Sequence, residues 1–317
     1  MQFSQSSLKQ WALFVSLLIA VLSIPASSFL KGLSNTRSLE YNGVDRTYQI
    51  YPARVTDSSG KKPLIIALHD SGSSPRNLIR ASQGRINKLA DEEGYVMVYP
   101  EGHKKNWDMS GSDAAATGGR QGGDVGFIKM LIESIKKEAS IDEERIFLTG
   151  LGAGGVLALQ LACEVPDMFR AVAVVNGSIL VQNSAYCDGA TNTSLLLMNG
   201  TENPIIPYEG GIVQVPYGPP MNVLSTEATI GHWLKKNGCL YHSEETLLPN
   251  VDPRDNTSVA KYNYSGCHSD VKVILYKVNG GGHAWPGGRQ SKKADHFGRM
   301  SRDLDGGKEI WRFFEAF

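Results

Sequence analysis

Arg145-Ile-Phe-Leu-Thr149 runs straight into Gly150-Leu-Gly-Ala-Gly-Gly155, and Leu157 to Cys163 follows as an apolar stretch. The first segment reads as a strand buried on both faces, the glycines as a tight turn, and the third segment as a helix. A buried strand feeding a helix through a glycine turn is half of a βαβ unit, so the stretch predicts an α/β fold. In open α/β sheets ligands bind beyond the carboxyl ends of the strands, which makes the turn at Gly150–Gly155 a candidate site.

The rest of the chain repeats the pattern. Leu64-Ile-Ile-Ala-Leu68, Tyr95-Val-Met-Val-Tyr99, Ala171–Val175 and Leu195–Met198 are further continuous apolar runs, Val271–Val278 is a strand-like run interrupted by Lys272 and Lys277, and Tyr48–Tyr51 alternates as an edge strand does. Between them, Arg76 to Glu93 is helix-like, Ile128, Leu131, Ile132 and Ile135 recur at helical spacing, and Ser225–Lys236 and a segment with Ile310, Trp311 and Phe314 complete the helices. Strands alternating with helices predict a doubly wound, mostly parallel sheet in a single domain. Two more strand ends stand out: Asn199-Gly-Thr-Glu-Asn-Pro204 after one, and Asn279-Gly-Gly-Gly-His283-Ala-Trp285 after another.

Composition narrows the partners. Of 317 residues, 41% are apolar and 20% charged, with 32 Lys+Arg against 32 Asp+Glu. Zero net charge disfavours nucleic acid or an anionic membrane as the main partner, although a local basic patch fits within a neutral total. Lys9 followed by the apolar run Trp11–Ile24, Pro25 and Ala26-Ser27-Ser28 reads as a signal peptide over residues 1–28, leaving an extension at 29–44 and the main domain at 45–317. The run falls short of the roughly 20 residues that span a bilayer, so no membrane association is expected after cleavage, and the protein is expected in a secreted, extracellular or periplasmic location. The alternative is an uncleaved anchor.

Cys163, Cys187, Cys239 and Cys267 show no C-x-x-C pair and no zinc-finger spacing, so no metal site is expected. In an oxidising compartment an even count favours two disulfides. Three pairings are open; Cys163 with Cys187 and Cys239 with Cys267 closes the shortest loops and is the expected one. Gly150 to Gly155 formally fits G-x-G-x-x-G, but no acidic residue follows about 20 residues on, and export removes the chain from nicotinamide cofactors. No cofactor is expected.

Several stretches together resemble one family, the secreted α/β-hydrolase esterases that include polyhydroxybutyrate depolymerases and feruloyl esterases. Leu64–His69 resembles its strand leading to a His-Gly oxyanion loop, Tyr95–Gly102 its "VVYPDG" and Asp124–Phe127 its "DDVGF". Gly200–Tyr208 resembles "GTADPIVPY", Asn237–Cys239 "NGC", and Gly281–Gly287 "GGHTWPG". The likeness runs from about Tyr48 to Phe317 and implies an α/β-hydrolase with nucleophile, acid and histidine in that chain order. The cysteine positions also match, which supports the local pairing.

The departures fall on the catalytic positions. The family's G-x-S-x-G elbow carries serine where this chain has Gly152, which holds no atom able to form an acyl-enzyme. The acid position is Asn203, which bears no charge; the histidine is retained as His283. By resemblance the oxyanion loop involves Ser71 and Ala153, yet Asp70 replaces a glycine there, and a carboxylate near the hole would repel a developing oxyanion. Trp107 and Trp285 are candidate walls of a substrate groove, and His69 reads as structural.

Three readings compete: a pseudoenzyme that binds a polysaccharide, phenolic ester or polyester-like ligand; an active carboxylic-ester hydrolase using His283 with activated water or a non-elbow nucleophile; and a purely structural module. The first is the leading expectation. Its partner would be a small-molecule ester or a polysaccharide or polyester.

Overall fold

The computed structural model describes residues 36–52, 60–109, 123–189, 192–214, 220–290 and 294–317. The signal-peptide reading at 1–28 lies outside them, as do residues 29–35 of the expected extension. Twelve strands run in chain order: β1 Thr36–Tyr41, β2 Val44–Tyr51, β3 Lys62–Leu68, β4 Val96–Pro100, β5 Ile141–Leu151 and β6 Ala171–Val175, then β7 Ser194–Gly200, β8 Gly211–Val213, β9 Met221–Val223, β10 Ser243–Leu247, β11 Ser258–Tyr264 and β12 Val273–Asn279. The helices are α1 Pro75–Ala81, α2 Arg85–Glu92, α3 Gly123–Glu138, α4 Ala153–Glu164, α5 Thr226–Lys236, α6 Ala294–Phe297 and α7 Gly306–Glu315.

Ten strands form one sheet in the order β1-β2-β4-β3-β5-β6-β7-β12-β11-β10. The six central strands, β4 to β12, are parallel, and antiparallel pairs flank them on each side. This is the α/β-hydrolase-type architecture expected.

Strand alternation divides the core into two layers. Leu64, Ile66 and Leu68 of β3 face one layer with α3 and α4, while Ile65 and Ala67 face the other with Phe147 and the Trp311 and Phe314 side chains of α7. Every one of these side chains is buried, and each large one contributes roughly 1.5–3 kcal/mol by leaving water. Both disulfides take the local pairing, Cys163–Cys187 and Cys239–Cys267. The first ties the end of α4 to the 3₁₀ turn Val181–Cys187.

The structure corrects three sequence expectations. The helix expected from Arg76 to Glu93 is two helices, because Gln83 and Gly84 both adopt positive φ (56° and 65°) and end the hydrogen-bond ladder. The domain begins nine residues before position 45: β1 pairs with β2 from Thr36↔Gln49 to Tyr41↔Val44, so residues 36–44 belong to the sheet. Finally, β10 and β11 extend the sheet beyond β12, where the sequence expectation had no strands.

Candidate functional site

β3, β5, β6, β7 and β12 are neighbours and parallel, so their carboxyl ends open onto one edge. That edge gathers the loops after Leu68, Leu151, Val175, Gly200 and Asn279. Gly152 sits in the turn between β5 and α4 with φ 56° and ψ −122°, outside the regions that a residue with a side chain occupies at ease. A Cβ on Gly154 would lie 2.3 Å from the Leu68 carbonyl and 2.5 Å from that of His69, so only glycine lets α4 approach the end of β3 this closely.

The loop after β3 delivers Asp70 into this turn. Its Oδ1 accepts the Ser71 N–H at 2.8 Å and the Ala153 N–H at 2.9 Å, the latter from the first turn of α4. Its Oδ2 lies 2.9 Å from Nε2 of His283. The two residues expected to form the oxyanion loop, Ser71 and Ala153, are thus brought together, and both amides point at one atom: a carboxylate oxygen of the protein itself. Asp70, expected to stand beside these amides, accepts a hydrogen bond from each of them. A Cβ built on Gly152 would sit 2.1 Å from Asp70 Oδ1, 2.5 Å from its Cγ and 2.8 Å from His283 Nε2. The space a side chain at the elbow would enter is already filled.

The histidine is held from behind. His283 Nδ1 lies 3.2 Å from Asn203 Oδ1. That oxygen also accepts the Ile205 and Ile206 N–H groups at 2.9 and 3.0 Å, and Asn203 Nδ2 donates to Asn176 Oδ1 at 3.1 Å. These partners fix the amide orientation, so Nδ1 carries a proton that it donates to Asn203. Burial pushes the Asp70 carboxyl up, but the His283 charge and hydrogen bond, with the Ala153 and Ser71 amides, outweigh it and hold the group below the ordinary aspartate value of 3.8. Both ring nitrogens of His283 are thus engaged, Nδ1 with Asn203 and Nε2 with the Asp70 carboxylate. The partial positive charge at the start of α4 adds to the stabilisation of the carboxylate.

The remaining candidates take structural places. His69 is fully buried; its Nδ1 donates to the Asp70 carbonyl at 2.7 Å and its Nε2 accepts the Gly102 N–H at 2.9 Å, a neutral ring that burial keeps below its ordinary pKa. Both tryptophans are buried among the described residues. Trp107 is 8% exposed, donates through Nε1 to the His69 carbonyl at 2.7 Å and lies against the His69 ring. Trp285 is 4% exposed and packs in the core layer under α7. Position after a strand end suggested a groove for both, but the loops fold them inward. Sequence reasoning also missed the buried pair Arg46 and Asp124, 2.6 Å apart, which joins β2 to α3 and places Asp124 under the Asp108 N–H. No group of His, Cys, Asp or Glu suited to a metal ion occurs among the described residues.

Residues 47–198 match a family model described as Esterase PHB depolymerase. A Nocardia uniformis subsp. tsuyamanensis protein assigned as an esterase, NocK, is 27% identical over 279 residues, covering 86% of this chain and 79% of that protein. Feruloyl esterase D of Neurospora crassa is 24% identical over 322 residues, covering 96% of each. Among solved structures, the acetyl xylan esterase from Aspergillus awamori superposes with a TM-score of 0.57 at 16% identity, covering 90% of this chain and all of that one.

Proposed function

Because this chain is an esterase-family α/β-hydrolase, we propose that it is an exported, ligand-binding member in which serine-type acyl transfer has been lost. One observation carries the reading: the Asp70 carboxylate takes both amide donors of the oxyanion hole and the room a nucleophile would need above Gly152. An ester carbonyl entering the site would meet a negative charge in the place where its own oxygen must become negative. Nothing at position 152 can be acylated.

The reading of an active hydrolase with water activated by His283 requires Nε2 as a proton acceptor. In the resting arrangement Nδ1 is engaged by Asn203 and Nε2 by the Asp70 carboxylate, so no ring nitrogen faces a water. The geometry therefore favours binding over hydrolysis. The ligand class follows from the names of the relatives, feruloyl and acetyl xylan esterases: an ester-bearing polysaccharide or phenolic ester, with a polyester-like polymer as the third member of the class. Secretion fits the two disulfides and the N-terminal apolar run.

The test is incubation of the purified protein with a fluorophosphonate and with p-nitrophenyl acetate, alongside sedimentation with insoluble xylan. No covalent adduct, no burst of nitrophenol and retention on the polymer are expected. A stoichiometric adduct would overturn the reading, and the labelled peptide would identify the nucleophile in use.

A further inference from the structure

A basic cleft is built by segments that follow Asp70 and His283 in the chain. It has a volume of about 670 Å³, and Ile79, Arg80, Gln83, Arg289, Met300 and Arg302 contribute its side chains, with no carboxylate among its lining residues. The Arg289 N–H bonds the Ala81 carbonyl at 3.1 Å, and Gln83 Nε2 donates to the Gly287 and Gly288 carbonyls at 3.0 Å each. These bonds tie the end of α1 to the loop after His283, so Arg80 and Arg289 are held on opposite sides of one joint.

The charge there is unusual for this protein. Of the twelve described arginines, nine pair with a carboxylate. The three without such a partner among the described residues are Arg76, Arg80 and Arg289. Two of them line this cleft, and Arg76 lies one turn before Arg80 on α1, exposed like it. Arg302 is fixed at the third side by its bond to Asp252. A chain of zero net charge that neutralises its arginines elsewhere leaves this group uncompensated. Unpaired guanidinium groups around an apolar floor of Ile79 and Met300 suit planar carboxylates carried on a ring. A second cavity, also about 670 Å³, shares Gln290, Met300 and Arg302, but there Glu202, Asp255 and Asp295 offset Arg254 and Arg299, so the unbalanced positive charge is confined to the first cleft.

We infer that this cleft binds a uronate unit of a carboxylate-bearing polysaccharide, a polyuronate. The inference rests on the polysaccharide-binding reading above for the glycan backbone and on the cleft for its charge.

The experiment measures binding of oligogalacturonate to the full protein by calorimetry, with neutral xylo-oligosaccharide, poly-glutamate and inorganic phosphate as parallel arms. Arg80→Glu/Arg289→Glu is compared with the equally charged Lys129→Glu/Lys137→Glu, both of whose positions are exposed on α3. Oligogalacturonate is expected to bind, to weaken about tenfold between 50 and 200 mM salt as screening demands, and to lose at least about tenfold in the arginine variant but not in the lysine one. Neutral binding that the arginine variant leaves unchanged, with no preference for the uronate, would overturn the inference and leave the polysaccharide reading standing. Poly-glutamate or phosphate binding as tightly as oligogalacturonate would overturn the assignment to a glycan. Failure of both sugars would overturn the polysaccharide reading with it.

Discussion

Restoring serine at the elbow should damage the protein rather than revive it. In Gly152→Ser the new Cβ would meet Asp70 Oδ1 at 2.1 Å, Asp70 Cγ at 2.5 Å and His283 Nε2 at 2.8 Å, all well inside contact distance. Asp70 must leave, losing two amide hydrogen bonds and its partner His283. Breaking a fully buried charge pair costs about 3–5 kcal/mol, an upper limit for this part-buried one. A side chain at φ 56°, ψ −122° adds roughly 1–3 kcal/mol of backbone strain. The sum, about 4–8 kcal/mol at that limit, is a large part of the 5–15 kcal/mol that typical domains possess. At about 2 °C per kcal/mol for a domain of this size, the melting midpoint should fall by up to roughly 8–16 °C. Asp70→Gly, destabilising alone, should stabilise the Gly152→Ser background because it empties the occupied space. The assay is thermal unfolding of the wild type, both single variants and the double variant, followed by p-nitrophenyl acetate hydrolysis. Only the double variant should hydrolyse the ester, and adding Asn203→Asp should raise the rate further by giving the imidazolium a charged partner. A Gly152→Ser protein as stable as wild type, or a double variant less stable than Gly152→Ser, would refute the placement of Asp70.

Three other perturbations have defined outcomes. Because the Asp70 carboxyl titrates below its ordinary value in the folded state, the stability it contributes is complete above pH 4 and disappears as the pH falls through its folded pKa; Asp70→Asn should flatten that acid limb of the stability profile measured by urea unfolding. Arg46→Met should cost about 3–5 kcal/mol, since Asp124 would remain buried without its cation, and denaturant midpoints would show it. Trp107→Phe should cost roughly 1–3 kcal/mol by leaving the His69 carbonyl without its donor, with no change in ligand affinity; a lost affinity would restore Trp107 to a groove.

The sequence revealed what local pattern encodes. Continuous apolar runs such as Leu64–Leu68 and Ala171–Val175 announced strands buried on both faces, and their order announced the sheet. Edge elements were hidden for the opposite reason: β10 reads Ser-Glu-Glu-Thr-Leu and is intermediate or exposed throughout, so no periodicity marks it. The break between α1 and α2 rests on the backbone of Gln83, a residue with no special preference for positive φ. At the site, His283, Asn203, Ser71 and Ala153 came from spacing and resemblance, and their convergence follows from strand order. The seat of Asp70 did not, because it depends on the absence of a side chain 82 positions away, at Gly152. Trp107 and Trp285 failed similarly, since location on a loop does not set the direction in which a ring turns.

The exchange between positions 70 and 152 constrains the order in which changes can accumulate. With Asp70 in place, a serine at 152 must displace it, and with serine in place, an aspartate at 70 loses the seat it holds here. A change in either direction is easiest through a state in which neither side chain fills the turn, such as glycine at both positions. Once a carboxylate fills that space, a single substitution at the elbow meets it rather than restoring the earlier arrangement.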